Sequence, residues 1–558
     1  MTRALVRALV VVAVAVSLPI GAASAQEDGR RALLLQVPGA SFEDLMAIPE
    51  VSSLAGSGGA ALLVPQLDRR NLLYGQGLPG RVRGATVLTV DLRDLGAALR
   101  RSVPGSTAER LLVVVAGVGP PSAARRAEGD LVSGIVVGIG APAELLDVTA
   151  VGGSLTSAST RRTGVVSDLD VAPSVLAFLG LDREVEWESI EVVEGLPPFE
   201  LHERYLAQRR MYVPMGTAAA LYAGGVGLLA IAGLALGGRV PVRVRRAAAW
   251  GCLSIPALAT ALLAAGHLPE LTYAAAVPFV AIVTVLGTMA LSPLERRDPA
   301  WVPAGIGVGV LAFFVLEGIL GWSAALTPLL GGSQLDGGRF SGLPNVFVGL
   351  LVGASLYVAQ RLGTSEGVAL IAGIGLFAGL PYLGSNLGGA VSLFAAAGMW
   401  LAVRERERLG LWKAVGAVAA MTVIGTGAIL LAHALAPTPT HVTRFEEATG
   451  GLAGVWDTFV DRLRVGFDLI ARNPAAVIPI LGLPIALMVV RRPPVAIGSS
   501  LERRPAWRDA VLVTLLAGIV AYLANDSGPA AAGLAFGLGL GGLLGVSLLA
   551  SAGKMGEP

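Results

Sequence analysis

Cysteine is almost absent from this chain of 558 residues: Cys252, inside an apolar run, is the only one, so no intrachain disulfide can form. Any exported portion must therefore be held by its hydrophobic core. Lysine is scarce as well, with only Lys413 and Lys554 among 42 basic residues, and this Arg bias, with abundant Ala and Gly, points to a GC-rich bacterial source. Charged residues make up 15% and aromatic residues 5%, against 54% hydrophobic and a mean hydropathy of +0.69. That balance excludes a chain soluble throughout and is expected of a polytopic membrane protein. The net charge of +2 provides no basis for a nucleic-acid partner.

What is present begins with an export signal. Arg3 and Arg7 precede an apolar core at 8–20, and Ala23-Ser24-Ala25 forms a small-residue cleavage pattern before Gln26. The core is shorter than the roughly 20 residues a spanning helix needs, so residues 1–25 read as a secretory signal peptide rather than an uncleaved anchor. Residues 26–210 then carry frequent charges and only short apolar runs. Those at 32–37, 61–64, 86–90, 111–116 and 135–138 are rich in Val, Leu and Ile, as buried strands of a mainly parallel sheet are. Helical stretches at 42–46, 48–55 and 92–101 lie between them, which predicts an α/β layer fold. A further helix is predicted at 171–179, with Asp168 or Asp170 as its cap, Pro173 in its first turn and Gly180 as its stop.

The run 153–181, GSLTSASTRRTGVVSDLDVAPSVLAFLGL, resembles the C-terminal segment of alkaline phosphatase superfamily domains, where a loop leads into a D-x-A-P-T-x-L-x-x-L-G helix. Residues 33–45 (LLLQVPGASFEDL) are similar to that superfamily's first strand and loop, and 48–61 to its P-x-L-x-x-L-x-x-x-G-A helix. The resemblance implies an alkaline-phosphatase-like exported domain, but the residues that carry that superfamily's chemistry are missing. Its first strand ends in an Asp ligand where this chain has Val37-Pro38-Gly39, and its later Asp-His-Gly is replaced by LLVVVAGVG at 111–119. A divalent cation needs several oxygen or nitrogen donors, and the only histidine before residue 211 is His202, so neither metal nor cofactor is expected. Ser41, Ser154 and Ser159 are hydroxyls with no activating base and read as loop and cap residues. The expectation is a catalytically inert domain.

Residues 211–558 predict an all-α membrane domain of about eleven helices, at 213–237, 247–266, 271–291, 301–321, 343–360, 366–381, 387–403, 413–435, 474–490, 508–524 and 529–550. Arg-rich turns, such as those with Arg243, Arg245 and Arg246, with Arg404, Arg406 and Arg408, and with Arg503 and Arg504, all fall on one side. By the positive-inside rule that side is cytoplasmic, and its arginines are read as orientation signals with no site among them. The placement agrees with an exported N-terminal domain in a bacterial plasma membrane.

The opposite side holds four polar clusters: 331–345 (GGSQLDGGRFSGLPN), 381–389 (PYLGSNLGG), 440–448 (THVTRFEEA) and 525–528 (NDSG). Arg339, beside Gly337 and Gly338, offers a guanidinium fork suited to phosphate or carboxylate, unless it snorkels to headgroups. Asn345 and Asn386 stand at the starts of spans, where an amide can cap a helix or line a site. Glu317 lies within an apolar run and needs a partner, for which Arg339 is a candidate. His441, Arg444, Asn525, Asp526 and Ser527 complete the candidate site, and residues 452–471 have the spacing of an interfacial amphipathic helix. The elements GGRF-x-G-x-x-N, L-G-x-N-x-G-G, H-x-x-R and N-D-S-G resemble motifs of a family of bacterial multi-spanning proteins that carry an alkaline-phosphatase-like exported domain. Three functions stay open: an envelope protein binding a phosphorylated or lipid-linked intermediate, a transferase with His441 or Asp526 as base, and a transporter.

Overall fold

The computed structural model describes residues 30–64, 85–104, 106, 108–118, 123–127, 132–141, 145, 153–157, 160, 162–180, 190–193, 198–336, 342–436, 440, 460, 495–525 and 527–553. Strand β1 (Arg30–Pro38) occupies the first apolar run and pairs in parallel with β3 (Ala85–Thr89) and β4 (Arg110–Val118). Beyond β4 the sheet continues through β5 (Ser133–Gly140) and β2 (Gly58–Val64), each antiparallel to its neighbour. On β2 pair β6 (Gly153–Ser157) and β7 (Val165–Ser167), both parallel, and β8 (Ile190–Val193) closes the edge antiparallel to β6. The sheet is thus mixed, with four parallel and three antiparallel pairings among the described residues. An apolar run marks a strand buried on both faces, but it does not encode the direction in which the strand is threaded.

The two-residue period of the strands divides the core. Leu33, Leu35 and Val37 of β1 face α1 (Phe42–Met46), α2 (Pro49–Gly56) and α3 (Leu95–Ser102), whereas Ala32 and Leu34 pack with Val171 and Val175 of α4 (Val171–Phe178). Gly39, at φ +69°, turns the chain out of β1. Ser41 then caps α1, its Oγ accepting from the Asp44 amide at 3.2 Å while its own amide donates to Asp44 Oδ2 at 3.0 Å. Replacing Ser41 with Ala is expected to lower stability by about 1 kcal/mol, measurable by chemical unfolding of the full chain; no change would mean that α1 needs no cap. Asp170 precedes α4 without capping it. Its carboxylate instead accepts from Ser157 Oγ (2.7 Å) and the Ser167 amide (3.1 Å), tying the ends of β6 and β7 together.

Helix α5 (Pro198–Leu236) runs unbroken for 39 residues, about 58 Å, so the expected boundary at 210 falls inside one helix. Its first turns bury Leu201 and Tyr205 in the α/β core, and Met211 packs among Ala261, Leu262 and Leu271 of the helical bundle. A rigid stem therefore joins the two parts.

Among the described residues, eight helices are long and apolar enough to cross a membrane: α5, α6 (Val242–Ala264), α7 (Tyr273–Met289), α8 (Trp301–Ile319), α11 (Leu387–Arg404), α12 (Leu411–Ala434), α14 (Pro505–Ala524) and α15 (Gly528–Gly553). Two expected spans are shorter helices, α9 (Val348–Ala359) and α10 (Thr364–Gly379); the run at 474–490 lies outside the described residues. Only Val358 of α9 escapes burial. Glycines permit this: a Cβ on Gly349 would stand 1.8 Å from the Ala531 carbonyl oxygen, so α9 and α15 meet backbone to backbone. Lipid-type exposure falls elsewhere, as at Ile282, Val285 and Leu286 of α7 and Val423, Ile424 and Leu431 of α12. At the Arg-rich end, Asp298 accepts from Arg361 and Arg504 at 2.6 Å each, and Asp509 pairs with Arg406 at 3.1 Å. Several arginines expected to act as orientation signals also tie helix ends together.

Candidate functional site at the junction of the α/β domain and the helices

The α/β domain rests on the bundle end opposite the arginines. Arg204 of α5 donates to the carbonyls of Gly266 (2.6 Å) and Leu268 (3.1 Å), and Gln208 donates to that of Pro328 (2.9 Å). Leu335, from the glycine-rich loop after α8, is buried in the α/β core. An apolar side chain in a polar loop thereby anchors the loop to the domain above it.

Arg162, between β6 and β7, reaches across the junction. Its Nη2 donates to the Trp322 carbonyl (3.0 Å) and to Gln334 Oε1 (2.7 Å), while Gln334 Nε2 donates to the Gly342 carbonyl (2.9 Å). Burial pulls the Arg162 pKa down to about 10, and the charge of Glu317 offsets part of that fall, so the guanidinium stays charged at neutral pH. Glu317 is 2% exposed near the end of α8. One carboxylate oxygen hydrogen-bonds His267 Nε2 and the other accepts from the Ala324 amide at 3.3 Å. Its partners among the described residues are therefore His267 and that amide, with Arg162 acting through its charge, whereas Arg339 lies outside the described residues.

A second network joins three helix ends. Asn386 is fully buried and caps α11 through Oδ1, which accepts from the Gly389 amide at 2.7 Å. Its Nδ2 donates to the Leu343 carbonyl (2.9 Å) and to Asn345 Oδ1 (3.0 Å), so one amide serves both as cap and as bridge. Asn345 makes no cap of its own; the position before that helix is Pro344. The loops meet again where Leu343 donates to the Gly384 carbonyl at 2.8 Å, beside Gly342 at φ +91°, whose Cβ would lie 2.2 Å from that oxygen. Asn525, 4% exposed at the end of α14, donates through Nδ2 to the Ala521 carbonyl, and its Oδ1 has no hydrogen-bond partner among the described residues. That oxygen faces Gly388 at the start of α11, where an added Cβ would lie 2.7 Å from it. The Ser527 carbonyl caps α15 by accepting from Ala530 and Ala531. Nearby, His433 is buried between the Gly379 carbonyl and the Thr440 hydroxyl, and the carbonyl, which can only accept, puts a proton on Nε2.

Every described non-glycine residue with positive φ lies at this end: Trp322 (+63°), Tyr382 (+69°) and Ser385 (+45°). Each costs of order 1–3 kcal/mol and persists because its surroundings hold it. Trp322, for example, donates its indole N–H to the Leu383 carbonyl and packs against Phe314 and Phe377.

Of the candidate residues, Asn345 and Asn386 are hydrogen-bonded to each other, Asn525 lies against the same helix start, and Glu317 belongs to the neighbouring Arg162 cluster. Arg339, His441, Arg444 and Asp526 lie outside the described residues. Sequence reasoning passed over Arg162 and Gln334. The Arg161-Arg162 pair, in a loop otherwise of small residues, was the available signal. Comparison of the chain with protein-family models, curated proteins and solved structures finds no match.

Proposed function

We propose that the chain is an integral membrane protein of the bacterial envelope whose outer-face polar cluster binds a phosphorylated, lipid-linked intermediate. The α/β domain acts there as a docking cover rather than as a hydrolase. The eight long apolar helices are compatible with membrane integration. The observation that carries the binding reading is Asn525 Oδ1, an acceptor buried without a partner among the described residues, beside a helix start that Asn386 and Asn345 already brace. Such an orphan costs about 1–3 kcal/mol, and a ligand hydroxyl or amide would supply the missing donor. Arg339 and Arg444 would supply forks for the phosphate. The alkaline-phosphatase-like motifs, without that superfamily's metal ligands, suit a domain that meets phosphate esters without cleaving them.

A deletion strain is expected to accumulate the intermediate among its extracted lipid-linked species. Asn525→Leu and Arg339→Lys, each shown to reach the membrane, should both fail to restore the normal level. Full complementation by both would refute the reading.

The orientation has its own test. Cys252 is buried, so single introduced cysteines report cleanly. Glu270→Cys, exposed beside the α/β domain, should react with an impermeant thiol reagent in intact cells, whereas Ser499→Cys, exposed at the Arg-rich end, should be protected. The reverse pattern would invert the topology.

A further inference from the structure

We infer that the Arg-rich end of the bundle carries a second site, for a phosphate-type anion, independent of the cluster under the α/β domain. A cavity of about 280 Å³ opens there between the last turns of α5, the first turn of α6, the end of α15 and the helix Val495–Glu502, here α13. Among the described residues its lining includes Arg245, Arg503, Ser500 and Ser547 and no acidic residue.

The chemistry of the lining is that of donors and cations. Arg245 is 4% exposed although it stands in the first turn of a spanning helix, where an arginine that served only orientation would extend into water. It reaches the cavity by packing along Gly233, where an added Cβ would lie 3.3 Å from Arg245 Cγ. Ser547 lines the cavity and is 1% exposed, and its buried Oγ has no hydrogen-bond partner among the described residues. Ser500 accepts from Arg504 at 3.4 Å, which leaves its own hydroxyl proton to donate. Arg503 lines the cavity with its Nε held by the Ser499 carbonyl at 2.8 Å.

Arg245 of α6, Ser547 of α15, Ser500 of α13 and Arg503 just beyond α13 line a space larger than a single carboxylate needs. A tetrahedral phosphate ester, with oxygens pointing in several directions, can accept from all of them at once. The position at helix ends is headgroup depth, so the phosphate can come from an anionic phospholipid or from a soluble phosphate compound.

The test uses the purified full-length chain in a neutral detergent, with its melting temperature followed during titration. Phosphatidylglycerol is compared with diacylglycerol, which lacks the phosphate, and inorganic phosphate and glycerol 1-phosphate form the soluble arm. A saturable rise with phosphatidylglycerol alone identifies a lipid headgroup; a rise with the soluble phosphates identifies a free compound. Either response should weaken by about tenfold or more in Arg245→Gln. Ser547→Ala removes a hydroxyl that has no hydrogen-bond partner among the described residues, so it should fold like the parent and still bind several-fold more weakly. The inference is overturned if no phosphate compound binds, if diacylglycerol acts equally, or if Ser547→Ala and a folded Arg245→Gln bind as the parent does.

Discussion

Replacing Glu317 with Ala should destabilise the folded chain by about 3–5 kcal/mol, the cost of breaking a buried charged cluster by removing one member. The carboxylate is 2% exposed, and its loss strips a partner from His267, an acceptor from the Ala324 amide and the countercharge from Arg162. Arg162→Ala is expected to cost about 2–3 kcal/mol, because the Trp322 carbonyl and Gln334 Oε1 lose a charged donor. The double variant is the informative one. If the two groups sense each other across the junction, its loss falls short of the sum by about 1–3 kcal/mol. Reversible unfolding in mixed micelles measures all three. Additivity to within about 0.5 kcal/mol would mean that the α/β domain is held by Leu335, Arg204 and Gln208 and not by this charge pair.

Asn386→Leu is expected to cost about 3 kcal/mol, since it removes the acceptor of the Gly389 amide and a donor to the Leu343 carbonyl and to Asn345 Oδ1 inside a buried space. Asn386→Asp separates the two roles of the side chain. A carboxylate still accepts from Gly389, and is favoured at a helix N-terminus, but it cannot donate to Leu343 or Asn345. It should therefore lose roughly half as much stability while loosening the loop that precedes α9. Limited proteolysis of that loop, set beside the unfolding data, checks the pair. Equal losses for the two variants would show that capping is incidental and bridging decides. If proteolysis is unchanged in both, the bridge does not restrain the loop.

Much of the fold was legible in local composition. The predicted strands at 32–37, 61–64, 86–90, 111–116 and 135–138 coincide with β1 to β5, and the predicted helices at 42–46, 48–55 and 171–179 recur within a residue, while that at 92–101 is a 3-10 turn followed by α3 from Leu95. Short Val- and Leu-rich runs between charged segments admit few other readings. Strands β6 to β8 were missed because Ser, Thr and Gly dominate the first, and the other two span three and four residues. The length of α9 was overestimated for a related reason, whereas α10 has the expected 16 residues, placed two positions earlier in the chain. The flanking 3-10 turn and irregular outer segments are apolar too, and hydropathy measures burial without telling helix from loop.

The sequence alone determined which segments are buried in apolar surroundings, where the chain turns, and that polar residues gather at one end of the helices and arginines at the other. These depend on side chains counted along a line, with a period of 2 or 3.6. Only the tertiary structure decided that β5 runs against β4, that Leu335 enters the core of the α/β domain, and that Arg162 finds Gln334 across 172 positions. It also decided that Asn386 both caps and bridges, and that Arg245 turns inward to a cavity. Each is a choice of partner, and a donor or a charge carries no mark of which acceptor it will meet. That choice follows from how rigid helices and a twisted sheet pack, and at Gly349 and Gly388 it turns on the absence of a single Cβ.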